Sequence, residues 1–188
     1  KQSGHITTVG FQMYCDLLSI EIQKTKSEGE TIQKAPHVTT FFQPDIGSDY
    51  IENMSLRIDY YYRVGSATTL EQLNRIEKEL IDVFGPIPYK TKNLLLVASL
   101  KIEYKSTPVS QIDIQNSVLN IVIQPFDEEE ELVFLSRVGV YKHKTLESVR
   151  FKETSSGLLG VFLNISDSGD AFDLLSDFVH LFDPIDTT

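Results

Sequence analysis

The sequence lacks tryptophan and has a single cysteine, Cys15, among 188 residues. One thiol can form neither an intrachain disulfide nor a multi-thiolate metal site, so neither stabilises this fold. Such cysteine usage fits a reducing compartment. Long apolar runs are also missing: none approaches the roughly 18 residues that span a bilayer, and no basic head followed by an apolar block marks a signal peptide. We therefore expect a cytoplasmic chain without a membrane partner.

The motifs of nucleotide binding and of covalent catalysis are absent as well. The sequence contains no GxxxxGK[ST] loop, no GxGxxG ahead of a helix and no GxSxG elbow. Its four histidines are far apart and fit no metal-binding spacing: His5, His37, His143 and His180. We expect no catalytic residue, no bound metal and no cofactor in this chain.

Basic residues are scarce relative to acidic ones. The chain carries 27 Asp and Glu against 17 Lys and Arg, a net charge of -10, and residues 127–188 alone hold 13 acidic and 5 basic residues. This balance repels a phosphate backbone and disfavours direct binding of DNA or RNA. A basic protein surface is the partner that the charge favours.

One stretch, residues 65–88, predicts a helix at both of its ends. Thr68 with Glu71, or Thr69 with Gln72, provides a capping box, and Gly85 followed by prolines ends the helix. Apolar side chains recur between the caps at three- and four-residue steps: Leu70, Leu73, Ile76, Leu80, Ile81 and Phe84. This stripe must pack against another element.

The opposite side of this helix carries four charged residues. They are Glu71, Arg75, Glu79 and Asp82, and Arg75 lies within one turn of both glutamates, so it can pair with either. Two interpretations stay open at this point. The face is either a solvated surface with intrahelical ion pairs or a docking face for a partner.

The remaining pattern predicts an α+β fold, with a helical N-terminal half followed by a small, mostly antiparallel sheet packed with helices. Asn53 is the expected N-cap of a helix to about Val64, and another helix follows over residues 89–105. After Pro108 the period becomes alternating, which indicates strands. The expected strands lie at residues 112–114, 118–123, 149–151 and 158–165, with a β-rich segment at 37–42 before them. Further helices are expected at residues 128–138 and 168–182.

Three segments follow from this pattern. We expect a many-sided apolar helix within residues 1–28, a polar linker at residues 29–35, and one domain over residues 36–188. The linker has no periodicity and little to bury.

Four ordered stretches stand out within about the first 105 residues: QSGHITTVGFQMYCDLL (2–18), DYIENMSLRIDYYYRVGSA (49–67), ELIDVFGPIP (79–88) and NLLLVASLKI (93–102). Together they resemble the C-terminal end of the bacterial transcription-repair coupling factor (Mfd) family. The sequence departs from the family pattern at several positions, among them Val83, where the family has arginine. That change puts in doubt any contact that the family makes there.

The resemblance implies a regulatory module. In this family the whole protein is an ATP-driven double-stranded DNA translocase that removes stalled RNA polymerase and recruits UvrA for nucleotide excision repair. Its C-terminal domain folds back on the UvrA-binding module and hides it. Residues 1–28 would be the tail of the motor, and residues 36–188 the inhibitory TRCF domain. On this basis we expect Glu79 and Asp82, with Glu71 and Arg75 beside them, to contact basic side chains of the UvrA-binding module.

The resemblance also assigns cofactors and partners to the parent protein. ATP and Mg²⁺ belong to the parent's motor, and UvrA, RNA polymerase and double-stranded DNA are reached through the parent. This fragment itself should hydrolyse no ATP.

Two other functions remain alternatives. One is an acidic protein-interaction domain of unrelated origin. The other is a metal-dependent enzyme that uses carboxylates of residues 128–131 with Asp167 or Asp170. Adjacent residues of a helix point in different directions, however, so the four glutamates cannot all bind one ion, and favourable charge at a helix start accounts for them better.

Overall fold

The computed structural model describes residues 35–125 and 127–183. The expected tail helix (1–28), most of the expected linker, and Cys15 lie outside the described residues. The described residues form two compact units. One consists of residues 42–102, and the other of the described residues before 42 and after 102. The predicted α+β class is confirmed.

Three helices make up the first unit: α1 (Met54–Ser66), α2 (Leu70–Phe84) and α3 (Tyr89–Glu103). Asn53 caps α1 as predicted, because its side-chain oxygen accepts hydrogen bonds from the backbone N–H groups of Ser55 and Leu56. The expected helix to residue 105 ends earlier, at Glu103, and continues as a 3₁₀ turn, Tyr104–Ser106.

Apolar side chains of α1 and α2 bury one face of each helix. Tyr60 and Val64 are buried on α1, and Leu73, Ile76 and Leu80 on α2. Aromatic rings also pack together at the C-terminal end of α2. The Phe84 ring lies 5.7 Å from the Tyr60 ring and 5.8 Å from the Tyr50 ring, both edge to face. The two helices are thereby held in a defined rotation about their axes.

The second unit contains a five-stranded sheet in the order β1-β2-β3-β5-β4. The strands are β1 (His37–Thr40), β2 (Val109–Ile114), β3 (Val118–Ile123), β4 (Leu146–Glu153) and β5 (Leu159–Ile165). Only the β1–β2 pair is parallel. Strands β2, β3 and β5 bury one face of the sheet, where the following side chains are inaccessible to solvent: Ile112, Ile114, Leu119, Ile121, Val161 and Leu163.

Two helices supply the rest of this core: α4 (Glu128–Val140) and α5 (Ala171–Phe178). Phe178 stacks edge to face with the rings of Phe134 on α4 and of Tyr141 just beyond it, at 6.3 and 5.4 Å. The predicted helix over residues 168–182 is an α-helix only in its middle, with 3₁₀ turns at Ser168–Asp170 and Val179–Phe182. Across the described ranges, no helix is long and apolar enough to cross a bilayer.

Candidate partner-binding face on α2

Both predicted ends of α2 are present. The Thr69 hydroxyl accepts a hydrogen bond from the backbone N–H of Gln72 (3.2 Å), and the Gln72 side chain accepts one from the backbone N–H of Thr68 (2.8 Å). Gly85 ends the helix with φ +84° and ψ -161°, a conformation that almost only glycine adopts. Local sequence therefore fixes where the helix that carries the charged face begins and ends.

Glu79 lies on the flank of α2 that faces α1 and is already bound there. Both terminal guanidinium nitrogens of Arg63 donate to the two carboxylate oxygens of Glu79, Nη1 to Oε1 at 2.7 Å and Nη2 to Oε2. The Tyr60 hydroxyl donates to the same Oε1 at 2.9 Å. Bidentate arginine–carboxylate pairs are among the stronger and more directional ion pairs in proteins.

These bonds keep Glu79 ionised. The Arg63 guanidinium, and after it the Tyr60 hydroxyl, lower the pKa of Glu79 to about 2. The bond to Glu79 also raises the pKa of Arg63 above its ordinary value. Arg63 further lies over the Tyr60 ring, 4.8 Å from its centroid, which adds a cation–π contact. Glu79 thus joins two helices of its own unit, a role that the sequence pattern did not reveal.

Arg75 pairs with Glu71 and not with Glu79. The Glu71–Arg75 ion pair is one turn apart on the helix, and both side chains are about three-quarters exposed. Such a pair contributes about 0.3–0.5 kcal/mol, because water and salt screen it. The expectation that Arg75 could serve either glutamate is corrected: Arg63 occupies Glu79, so only Glu71 is left for Arg75.

Asp82 is the most available of the four predicted residues. Its side chain is exposed in the last turn of α2, and within the described part of the chain it forms no ion pair. Apolar side chains flank it: Ile81 is 46% and Val83 62% exposed. The face therefore offers a free carboxylate beside apolar surface, a combination typical of protein contacts.

A shallow, open pocket lies beside this face, between the end of α1 and the first turns of α2. Arg63, Ser66, Gln72, Arg75 and Ile76 line it together with Ala67. Two guanidinium groups border the pocket, so the surface is of mixed charge and not uniformly acidic.

Tyr60 and Arg63 are the residues that sequence analysis missed. Their spacing on α1 was visible in the sequence, but the helix that they would contact was not.

The four glutamates 128–131, which the metal-dependent enzyme alternative uses, form the first turn of α4. Asp127 caps that helix by accepting from the backbone N–H of Glu130 (2.8 Å), and Glu128–Glu131 are exposed. Asp167 accepts from the N–H of Gly169, and Asp170 lies 3.7 Å from the Lys144 ammonium. Among residues 35–125 and 127–183, no three His, Cys, Asp or Glu side chains are grouped as metal ligands.

Comparisons with known proteins show what this chain is similar to. Residues 42–132 match the family model of the TRCF domain. The transcription-repair-coupling factor of Buchnera aphidicola is 30% identical over 163 residues, which cover 80% of this chain and 20% of that protein. Those of Haemophilus influenzae and Escherichia coli are 30% and 28% identical over 118 residues, 60% of this chain and 10% of each protein.

A solved structure is similar in fold. The crystal structure of the C-terminal domain of a transcription-repair coupling factor superposes with a TM-score of 0.61 at 16% identity, covering 79% of this chain and 90% of that one. The chain spans a fifth or less of the length of the three curated relatives named above.

Proposed function

Because this chain belongs to the transcription-repair-coupling factor family and carries its TRCF domain, we propose that it is a non-catalytic regulatory region of such a factor. In this proposal residues 36–188, which include both compact units, mask a UvrA-binding module of the same polypeptide. The observation that carries it is Asp82, which is exposed and forms no ion pair within the described residues, on a capped helix in the family-matched segment.

The docking face that we propose is narrower than the four residues of the sequence pattern. Asp82 is its main contact residue, and the exposed Glu71–Arg75 ion pair is the second part of the face. Glu79 takes part indirectly, because its bonds to Arg63 and Tyr60 link α1 to α2, the helix that carries the other three residues. The basic side chains of the masked module are the complementary surface.

A weak contact is sufficient for such a mask. Two sites in one polypeptide meet at an effective concentration of roughly millimolar, so even a polar, salt-sensitive contact keeps them mostly together. A closed population of about 99% needs only about 2.7 kcal/mol. A competing partner or a motor movement can offset that amount, which makes the mask releasable.

The other activities belong to the whole protein and are proposals here. We propose that the parent is an ATP-dependent, Mg²⁺-requiring DNA translocase that contacts RNA polymerase and recruits UvrA, and that double-stranded DNA is bound by the parent and not by this region. The net charge of -10 supports the last point, since it opposes contact with a phosphate backbone.

The test is UvrA binding by the full-length parent protein at low and moderate salt. We expect Glu71→Ala/Asp82→Ala to bind UvrA about fivefold more tightly than wild type, because losing about 1 kcal/mol of closure exposes the site that much more often. Glu52→Ala, which removes an exposed acid at the start of the same unit, is the matched control and should bind as wild type does.

Two outcomes contradict parts of the proposal. If the double variant binds like wild type while deletion of residues 36–188 raises UvrA affinity, the region is inhibitory but the face is wrong. If the deletion leaves UvrA affinity unchanged, the region does not mask the site at all.

A further inference from the structure

Among the strands that the structure describes, β4 forms one edge of the sheet. It is the last strand in the order β1-β2-β3-β5-β4, it is eight residues long, and β5 is the only described strand that pairs with it. Five of its residues after the bulge near Leu146 run from Val149 to Glu153 without interruption of the register. Long, regular edges usually carry a protective device or a partner, because their unpaired backbone groups can bind another strand.

The backbone groups that point outward can be assigned from the hairpin. Thr154 donates its N–H to the Leu158 carbonyl at 2.8 Å, so the ladder bonds to β5 begin at that pair. Bonded and non-bonded pairs alternate in an antiparallel ladder. Lys152 and Arg150 therefore bond to β5, whereas the N–H and C=O groups of Val149, Phe151 and Glu153 face away from the sheet.

The two faces of this edge differ in chemistry. Arg150 and Lys152 are exposed and lie on the sheet face opposite the buried core, in register with Phe162 and Gly160. The core-side face carries two apolar residues, Val149, which is half-buried, and Phe151, which is 44% exposed, followed by the exposed Glu153 at the end of the strand.

A shallow pocket adjoins the core-side face of the edge. Phe151, Leu158 and Leu159 are its apolar lining residues, and the other residues that line it are Glu131, Lys152, Glu153 and Gly157. An apolar side chain of an added strand would extend toward this pocket, because side chains directly opposite each other on paired strands share a face.

We propose that β4 binds an extended segment of a partner protein by strand addition, and that this segment alternates acidic and apolar residues. Its acidic side chains lie opposite Arg150 and Lys152, and its apolar side chains lie beside Val149 and Phe151. Main-chain hydrogen bonds to the three outward-facing residues supply affinity, and the charge pattern supplies selectivity. Two adjacent cations on one strand face contrast with the acidic character of residues 127–188, which is why charge complementarity selects an acidic segment. The site lies outside the α2 face and does not depend on the masking role.

The test uses the 188-residue chain and an acetylated, amidated heptapeptide of alternating Glu and Val. We expect this peptide to slow amide hydrogen exchange at Val149, Phe151 and Glu153. When the peptide carries a fluorescent label, its fluorescence anisotropy should rise as the chain is added. Two control peptides should bind at least about tenfold more weakly: one with Lys in place of Glu, and one of the same composition without alternation.

Variants of the edge make the test specific. Arg150→Glu/Lys152→Glu should lose about tenfold in affinity for the Glu/Val peptide and gain affinity for the Lys/Val peptide. Val149→Pro removes an outward N–H without removing a ladder bond to β5, so it should abolish binding while the thermal midpoint shows that the chain still folds.

Three results would overturn the proposal. The first is unchanged exchange at the three amides when peptide is added. The second is equal affinity of the charge-reversed variant for both peptides. The third is protection of the same amides that grows with protein concentration in the absence of peptide, because the occupant of the edge would then be a second copy of this chain.

Discussion

At the scale of single residues, Glu79 shows how a charge that looks free in sequence can be internal in structure. Its carboxylate accepts hydrogen bonds from Arg63 and Tyr60, and the side chain is nevertheless 43% exposed. Exposure therefore does not measure availability. Asp82 is exposed and forms no ion pair within the described residues, so it is the better candidate for contact with another protein surface.

The Glu79 network predicts a pH-dependent stability. Its pKa is about 2 in the folded chain against an ordinary 4.5, so its contribution is fully present above pH 4.5 and is lost as the pH falls toward 2. We expect Glu79→Gln to lower the free energy of unfolding by about 1 kcal/mol at neutral pH, a figure reduced for solvent screening. Urea unfolding from pH 7 to pH 2 should show this difference vanish at the acidic end.

The matched control for that experiment is Glu71→Gln. Glu71 has an exposed arginine partner on the same helix, so its substitution should cost at most about 0.5 kcal/mol. If both substitutions lower the free energy of unfolding equally, the bidentate Arg63–Glu79 pair stabilises the fold no more than an exposed ion pair does.

At the scale of elements, residues at the helix ends determine where each helix begins and ends. Gly85 illustrates this at α2, since its φ of +84° ends the helix and its carbonyl accepts a hydrogen bond from the Tyr50 hydroxyl at 3.0 Å. The same hydroxyl also reaches the Leu80 carbonyl at 3.0 Å. The end of α2 is thus fixed by backbone conformation and by a side chain from the preceding loop.

Two glycine substitutions separate backbone conformation from packing. Gly85→Ala should lower the free energy of unfolding by about 1–3 kcal/mol, because alanine is strained at that φ and ψ even though no atom lies within 4 Å of the added carbon. Gly139→Ala, in α4 and equally uncrowded, should be neutral or stabilising by up to about 1 kcal/mol. Chemical denaturation of both variants is the measurement, and a stabilising Gly85→Ala would refute the strain argument.

At the scale of the whole molecule, the excess of acidic side chains is the property that most limits function. It disfavours nucleic acid as a direct partner and leaves two readings of residues 127–188, namely solubility and protein contact. The exposed glutamates of α4 act at the start of that helix, where negative charge is favourable. The alternative for these glutamates is a carboxylate-based metal site, although no such group of ligands occurs among the described residues.

A thermal melt distinguishes these interpretations. We expect millimolar Mg²⁺ or Mn²⁺ to leave the midpoint where NaCl of equal ionic strength leaves it, because charge at a helix start is screened equally by both. A specific ion site would raise the midpoint in proportion to the logarithm of ion concentration. A rise of that kind, abolished by Glu130→Gln or Asp170→Asn, would support the enzyme alternative.

Local sequence determined the helices and strands of this protein, since caps, glycines and hydrophobic periods act within one or two turns. Asn53, the Thr69–Gln72 cap and Gly85 were recognisable for that reason, and so was the alternating pattern of β3 and β5. The family resemblance rests on such local stretches and was confirmed.

Only the tertiary structure decided which elements meet. His37–Thr40 pairs in parallel with a strand about 74 residues further along, Arg63 reaches Glu79 on another helix, and β4 is left at an edge. Each outcome depends on packing and chain closure over long sequence separations, where neither propensity nor spacing selects one partner among several of equal chemistry.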